Sequence, residues 1–167
     1  MQGPVKSMTC KKILAIEQAC EQVGRWQQQG GRVVLAFGCF DLLHPGHTRF
    51  LAAARKLGDA LLVAVSSDRD ARTLKGPGRP ILPALERAEI VAALESVDYV
   101  TISDEPTPAA LIARVRPRIV ALASDGDSLE DVNPEQTTTA DTQIILLPVV
   151  PGFSTSALIQ TAVRNLS

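Results

Sequence analysis

The chain has few aromatic residues and no long apolar run. Aromatic residues make up 4% of its 167 residues against a hydrophobic fraction of 46%, so Ala, Val, Leu and Ile must build the core. That apolar content argues against an intrinsically disordered chain. No apolar run approaches the roughly 18 residues that a membrane span requires, and the amino-terminal segment lacks the apolar region of a signal peptide. We therefore expect a cytoplasmic protein of single-domain size.

Cysteine is too sparse and scattered for a disulfide framework or a zinc site. The three cysteines, Cys10, Cys20 and Cys39, form no CxxC pair. Net charge is also nearly absent, since 17 Lys and Arg residues stand against 18 Asp and Glu residues, a formal charge of -1. This balance argues against nucleic acid or a membrane as a partner bound through a broad electrostatic surface. An anionic ligand must therefore be held by a local arrangement of charges and dipoles.

The charges are unevenly distributed along the chain. Between Arg49 and Arg87 there are eight basic and four acidic residues, whereas between Ile119 and Val163 there are six acidic residues and no basic one. The near-zero total therefore combines a basic first half with an acidic second half.

Short apolar runs alternate with segments of helical periodicity. The runs predict strands at 33–37, 61–65, 99–102, 119–122 and 144–147, and the periodic segments predict helices at 12–28, 46–57, 83–95, 106–115 and 154–165. This alternation predicts an α/β fold, a Rossmann-like doubly wound parallel five-stranded sheet with helices on both faces. We expect residues 1–30 to form a helical extension packed on the core, residues 31–167 to form the main domain, and the polar segment 124–142 to form a loop.

The strongest local signal, Gly38 to His47, directly follows the first apolar run. Both histidines of the chain, His44 and His47, lie here three residues apart, where a helix should begin. A helix N-terminus offers unpaired N–H groups and the positive end of the helix dipole, which suits a phosphate. Gly38 and Gly46 allow the backbone to approach a ligand closely. Imidazoles at this position can donate hydrogen bonds to phosphoryl oxygens as charge develops in a transition state.

The string His44-Pro45-Gly46-His47 resembles the HxGH signature of the cytidylyltransferase-like nucleotidyltransferase superfamily. Longer segments resemble one branch, the D-glycero-β-D-manno-heptose 1-phosphate adenylyltransferases of ADP-heptose synthesis. The resemblance runs from about residue 12 to residue 158 and is carried by residues 38–41, 54–59, 75–80, 86–87, 92–100, 104–108 and 152–156.

The resemblance implies transfer of a nucleoside monophosphate, preferably AMP, from a nucleoside triphosphate to a sugar 1-phosphate, specifically a heptose 1-phosphate, with release of pyrophosphate. It implies catalytic roles for His44, His47 and Lys75, with the lysine in a Gly/Pro-rich loop. It implies that the nucleotide is bound by Phe37, Gly38, Cys39, Phe40, Asp41, Gly46, Arg87, Ser154, Thr155 and Ser156. Mg²⁺ would accompany ATP or CTP, held mostly by phosphate oxygens and water rather than by protein ligands. Family habit also implies a homodimer.

Several of these residues allow a structural role beside the functional one. Asp41 could contact a ligand, although we favour a role in orienting the turn. Arg87 could bind a phosphate or form a structural ion pair. Ser154 and Thr155 could cap the last helix, with the same geometry that binds a phosphate. For Cys39 we expect packing, because nothing nearby in the sequence would activate a nucleophile.

Three segments depart from the family pattern. Phe37 stands where the family usually has Asn, Ala121 to Ser128 replace a Lys-Gly-Gly-Asp-Tyr segment, and Asp141-Thr142-Gln143 replace a Gly-Gly pair. The triphosphate end of the motif set is intact. The acceptor, the base and turnover itself therefore stay open between three hypotheses: the adenylyltransferase, a cytidylyltransferase acting on another acceptor such as glycerol 3-phosphate, and a nucleotide-binding module without catalysis.

Overall fold

The computed structural model describes residues 11–124, 141–148 and 151–166. The strands in these ranges are β1 (Ile13–Leu14), β2 (Val33–Gly38), β3 (Ala60–Ser66), β4 (Tyr99–Ser103), β5 (Ile119–Ala123) and β6 (Gln143–Leu147). The helices are α1 (Ile16–Gln28), α2 (Pro45–Arg55), α3 (Asp68–Lys75), α4 (Ala84–Ala92), α5 (Pro108–Val115) and α6 (Thr155–Leu166).

The strands form one parallel sheet in the order β1-β4-β3-β2-β5-β6. The chain runs from β2 through β3 to β4 and then returns to the other side of β2 at β5, so the order reverses between β2 and β5. This reversal confirms the predicted α/β class and the doubly wound, Rossmann-like architecture. Ligands of such sheets bind at the carboxyl ends of the strands, beside the reversal.

Helices cover both faces of the sheet because successive strand residues point to opposite sides and both sets are apolar. One face packs against α2 and α4, and its buried residues include Val34, Ala36, Leu51, Ala54, Val63, Ala88 and Val91. The other face packs against α1 and α5, and its buried residues include Ala19, Val23, Leu35, Leu62, Ile112 and Val120.

The predicted count of five strands is wrong by one. The sixth, β1, runs parallel to β4 with Ile13 opposite Val100, and the Val100 amide donates to the Lys12 carbonyl over 2.8 Å. Two residues are too few to show a strand periodicity, so the sequence indicated a helix from Lys12 onward. The helix instead begins at Ile16.

The sequence also gave no signal for α3. Ser67 caps this helix by accepting a hydrogen bond from the Asp70 amide over 3.2 Å, and Asp68 and Asp70 lie in its first turn, where carboxylates suit the helix dipole. Only Ala71 of the helix is buried. It therefore lacks the apolar stripe by which a helix is predicted.

The opening segment contributes Ala19 and Val23 of α1 to the core and β1 to the sheet. The expected domain boundary near residue 30 stays a prediction, and most of the loop predicted at 124–142 lies outside the described residues. None of the helices in the described ranges has both the length and the apolar character needed to cross a membrane.

Candidate active site

A tight turn connects β2 to α2 at the point where the strand order reverses. Two of its residues, Phe40 and Leu42, have left-handed backbone with φ of 51° and 52°. Such a conformation costs a non-glycine residue about 1–3 kcal/mol and persists only where the surroundings enforce it. Gly38 brings the turn close to the strand, since a Cβ there would lie 3.3 Å from the Phe40 ring. The turn is therefore a strained segment that other contacts must hold.

Asp41 holds this turn from within. Its side chain is buried, with 2% of the residue exposed. The carboxylate accepts hydrogen bonds from Arg79 Nε over 2.8 Å, from the Ile81 amide over 2.9 Å and from the Leu82 amide over 3.2 Å. These contacts use the carboxylate to bind the loop that follows α3. The sequence allowed Asp41 either to contact a ligand or to orient the turn, and this geometry favours the second role.

Arg87 of α4 also holds this turn. Its side chain is fully buried and donates from Nε to the Leu82 carbonyl, from Nη1 to the Cys39 carbonyl and from Nη2 to Asp68 Oδ1 over 2.7 Å. Every nitrogen of the guanidinium thus has a protein acceptor. Arg87 has the geometry of a structural ion pair, and a role in binding nucleotide stays a prediction without support from its contacts.

The two histidines lie together at the N-terminus of α2. His44 is the residue before the helix, and Pro45 occupies its first turn. The imidazole rings of His44 and His47 stack with their centroids 3.8 Å apart and their planes 21° apart, and the edge of Phe40 lies against His47 at 5.6 Å. Within the described ranges the Nδ1 atom of each ring is buried and has no hydrogen-bond partner. Each ring therefore carries one buried, unsatisfied nitrogen atom beside a helix N-terminus.

Burial keeps both imidazoles neutral at pH 7. Desolvation lowers the pKa of His44. It also lowers the pKa of His47 to about 4, with the nearby charges of His44 and Lys75 adding to the effect. A neutral imidazole donates from one nitrogen and accepts at the other. The pair can therefore donate hydrogen bonds to a phosphate without carrying charge of its own.

Lys75 is the last residue of α3, not part of the loop in which the sequence placed it. The loop begins at Gly76, whose φ of 89° ends the helix. The Lys75 side chain is exposed, and no hydrogen bond or ion pair of its ammonium occurs within the described segments. Its charge acts on His47, so the structure brings a free cation near the histidine pair.

The Ser154-Thr155-Ser156 turn brings a second helix N-terminus to the same place. Ser154 Oγ accepts a hydrogen bond from the Ala157 amide over 3.1 Å and so caps α6. Thr155 Oγ1 donates to the Asp41 carbonyl over 2.8 Å, which ties the start of α6 to the strained turn. Ser156 is exposed in the first turn of the helix. Two helix N-termini therefore converge beside His44, an arrangement suited to several phosphates.

Phe37 and Cys39 lie on the periphery of this arrangement. Phe37 packs with the core cluster between the sheet and the α1 and α5 helices, whereas Phe40 packs in the cluster on the other face. Burial raises the pKa of the Cys39 thiol, so the group stays protonated and does not suit a nucleophile. Its carbonyl serves as an acceptor for Arg87.

The described residues provide no cage for a metal ion, since no group of three His, Cys, Asp or Glu side chains among them could hold one. Asp41, the carboxylate in the turn, is fully used by protein donors. The remaining nearby donors are imidazole nitrogens, whereas Mg²⁺ prefers oxygen. These residues do not fit a protein-held magnesium ion. A magnesium ion carried by the phosphates of the nucleotide stays a prediction.

The acidic residues in the segments that differ from the family pattern lie either far from the histidines or outside the described residues. Residues 125–128 of the replaced Ala121 to Ser128 segment lie outside the described residues. Asp141 precedes β6 and pairs with Arg118 over 3.3 Å, and Thr142 donates to the Pro117 carbonyl over 2.8 Å. Because the sheet is parallel, this is the amino edge of the sheet, opposite the edge that carries the histidines.

Sequence reasoning missed two residues beside the histidines. Phe153 lies nearly parallel to the His44 ring, with centroids 6.3 Å and planes 18° apart, and Arg49 of α2 places its guanidinium 5.5 Å from the Phe153 centroid. Arg79 stands in the sequence only as part of the 75–80 segment, although its guanidinium binds the Asp41 carboxylate. The position of Phe153 directly before the Ser-Thr-Ser turn was the available signal.

The sequence matches a family model and several curated proteins. A family model described as cytidylyltransferase-like matches residues 35–156. The bifunctional protein HldE of Methylobacillus flagellatus is 39% identical over 160 residues, which cover 96% of this chain and 33% of that protein. HldE of Nitrobacter winogradskyi is 42% identical over 137 residues, which cover 82% of this chain and 28% of that protein. The chain thus spans about a third of the length of these curated relatives.

Solved structures share the same architecture. A lipopolysaccharide core biosynthesis protein from Thermoplasma volcanium superposes with a TM-score of 0.60 at 27% identity, covering 72% of this chain and 98% of that one. Pantothenate synthetase from Thermus thermophilus superposes with a TM-score of 0.58 at 15% identity, covering 83% of this chain and 62% of that one. The second match concerns the fold alone.

Proposed function

The chain belongs to the cytidylyltransferase-like family and is a nucleotidyltransferase, and from this premise we propose that it transfers AMP from ATP to a sugar 1-phosphate. The acceptor that we propose is a heptose 1-phosphate, and the products are an ADP-sugar and pyrophosphate. The segments that resemble the heptose 1-phosphate adenylyltransferases support this acceptor, and the likeness to a lipopolysaccharide core biosynthesis protein agrees with it.

One observation carries the proposal: two stacked, neutral imidazoles stand where two helix N-termini meet. His44 and His47 stack at the start of α2, and the capped start of α6 is tied to the preceding turn through Thr155. Helix N-termini attract phosphates through their free N–H groups and dipoles. The nearby ammonium of Lys75 adds a positive charge. Together these groups suit a triphosphate.

The proposed step is a direct substitution at the α-phosphorus of ATP. An oxygen of the acceptor's phosphate forms the new P–O bond, and the bond to the bridging oxygen of pyrophosphate breaks, with that electron pair leaving on pyrophosphate. Negative charge grows on the phosphoryl oxygens, and hydrogen bonds from His44 and His47 stabilise it. Lys75 neutralises charge on the departing phosphates. Bound to the substrate phosphates, Mg²⁺ would supply further charge neutralisation.

The proposed setting follows from the substrates. ATP and sugar phosphates are small cytoplasmic molecules, so we place the reaction in the cytoplasm, without a nucleic-acid or membrane partner. Assembly into a homodimer remains part of the proposal through the family resemblance.

A cytidylyltransferase is the second candidate, favoured by the description of the matching family model. The substrate panel that separates the candidates pairs ATP and CTP with heptose 1-phosphate, other sugar 1-phosphates and glycerol 3-phosphate, each with Mg²⁺. Pyrophosphate release is measured, and the product mass is read by mass spectrometry. We expect pyrophosphate release and an ADP-sugar with ATP and heptose 1-phosphate.

Pyrophosphate release only with CTP and glycerol 3-phosphate would establish the second candidate. Nucleotide binding without release in any pair would indicate a module without catalysis.

A further inference from the structure

The His44 ring lacks the polar contact that usually orients a functional imidazole. In most such sites the second ring nitrogen hydrogen-bonds to a carboxylate or a carbonyl, which fixes the ring. Here the Nδ1 atom of His44 is buried and without a partner in the described part of the chain. The orientation of the ring must therefore come from packing.

The His47 ring stacks on one side at 3.8 Å, and Phe153 adds packing from the segment that precedes α6. Its ring lies nearly parallel to the imidazole of His44, with centroids 6.3 Å and planes 18° apart, within the range of offset aromatic pairs. Arg49 of α2 lies 5.5 Å from the same ring, within cation–π distance. Phe153 thus contacts both His44, the residue that caps α2, and Arg49 within that helix.

Gly46 provides the room for this contact. A Cβ at Gly46 would lie 2.9 Å from two atoms of the His44 ring and 3.2 Å from the Cβ of Phe153. The first separation is below any ordinary carbon contact, so a side chain there would push the imidazole away. The glycine of the motif therefore serves the approach of two side chains to the helix, in addition to any approach of a ligand.

We propose that Phe153 is a positioning residue that holds the His44 imidazole in its working orientation through ring packing between the segment before α6 and the start of α2. Phe153 directly precedes Ser154, so the same contact sets the start of α6 relative to the imidazole. The inference rests on the proposed function, because the working orientation is the one in which His44 meets the phosphates.

The kinetic test compares Phe153→Ala, Phe153→Leu and Phe153→Tyr in the pyrophosphate-release assay. A group that acts only through a transition-state contact affects kcat more than KM. We expect Phe153→Ala to lower kcat about tenfold with KM for ATP changed less than about threefold. Phe153→Leu should lower kcat similarly, and Phe153→Tyr, which keeps the ring, should retain it. The control is Leu158→Ala, which truncates an exposed apolar residue of α6 and should leave kcat unchanged.

A double-mutant cycle with His44→Ala decides whether Phe153 acts through the imidazole. In the His44→Ala background, Phe153→Ala should cause no further loss of kcat, because the group that it orients is gone. An equal fractional loss in both backgrounds would overturn the inference, as would a normal kcat in Phe153→Ala.

A proton NMR measurement tests the contact without any turnover. The chain has two histidines, so the spectrum of His44→Ala assigns both imidazole resonances. Phe153→Leu should shift the His44 resonances more than those of His47, while the thermal denaturation midpoint confirms that the variant is folded. Unchanged His44 resonances would overturn the inference. If the wild-type protein turned over no substrate pair, the proposed function would fail, and this spectrum would still decide the contact.

Discussion

At the residue scale, the candidate site holds two stacked imidazoles that burial keeps uncharged at pH 7. Protonated rings with centroids 3.8 Å apart would repel each other, and burial lowers the pKa of both. In the proposed function, the pair therefore meets a phosphate as uncharged hydrogen-bond donors, and Lys75 and the two helix N-termini provide the positive potential.

The depressed pKa of His47 makes stability depend on pH. Burial lowers this pKa from 6.5 to about 4, so between these values the unfolded chain binds a proton that the folded protein does not. The free energy of unfolding should therefore fall as the pH drops from 6.5 towards 4, with no further loss from His47 below that. Urea unfolding at pH 7, 5.5 and 4.5 measures this dependence.

The matched variant for this measurement is His47→Asn, which removes the titrating group. Its free energy of unfolding should decline less steeply over the same pH interval than that of the wild-type protein, since His44 still contributes in the same direction. An identical decline in the two proteins would show that His47 is not the group responsible.

Local sequence could indicate the histidines but not their neighbours. His44 and His47 lie in one short motif after an apolar run, so their placement at a helix start followed from spacing. Asp41 and Arg79 are 38 positions apart, and Thr155 lies 114 positions from Asp41. Contacts of this kind depend on how distant elements pack together. The pattern of neighbouring residues in the sequence does not predict that packing.

At the scale of elements, the turn between β2 and α2 is held by three other segments. The loop after α3 contributes Arg79, α4 contributes Arg87, and α6 contributes Thr155. These contacts explain how two non-glycine residues, Phe40 and Leu42, remain in left-handed backbone. The strain and the network together fix where α2 begins, and so where the histidines stand.

Asp41→Asn tests this network. The substitution leaves the guanidinium of Arg79 without its buried counter-charge, and breaking a buried pair costs about 3–5 kcal/mol. We expect a loss of about 3 kcal/mol in the free energy of unfolding, measured by urea denaturation. The control is Asp104→Asn, whose carboxylate faces Arg69 over 3.7 Å with both side chains more than 70% exposed; it should change stability by less than about 1 kcal/mol. Equal small losses in the two variants would contradict a buried anchor.

The elements that the sequence indicated are those with a strong apolar pattern. The five runs of branched aliphatic residues form β2 to β6, and the helices that bury a stripe lie near their predicted positions. The polar α3 and the two-residue β1 carried no such pattern, and both owe their structure to neighbours: α3 to its Ser67 cap and β1 to its pairing with β4.

At the scale of the whole molecule, fewer basic side chains of the first half are available to a ligand than the sequence suggests. Four of its eight basic residues form ion pairs within the described chain: Arg55 with Asp98, Arg69 with Asp70 and Asp104, Arg79 with Asp41, and Arg87 with Asp68. The ion pairs that hold the largely buried guanidinium groups of Arg79 and Arg87 stabilise the turn rather than attract a ligand. In the proposed function, phosphate binding therefore depends on hydrogen-bond donors, on the two helix N-termini and on Lys75.

The turnover of His44→Ala and His47→Ala in the pyrophosphate-release assay shows whether the two imidazoles stabilise the phosphoryl group that is transferred. Both imidazoles stand at the start of α2, where they can stabilise charge on a phosphoryl group, and losing one such donor costs about 10²-fold in kcat. We predict that the kcat of each variant falls by about this factor or more. The thermal denaturation midpoint of each variant shows that it is folded. A kcat near that of the wild-type protein in either variant would contradict the account.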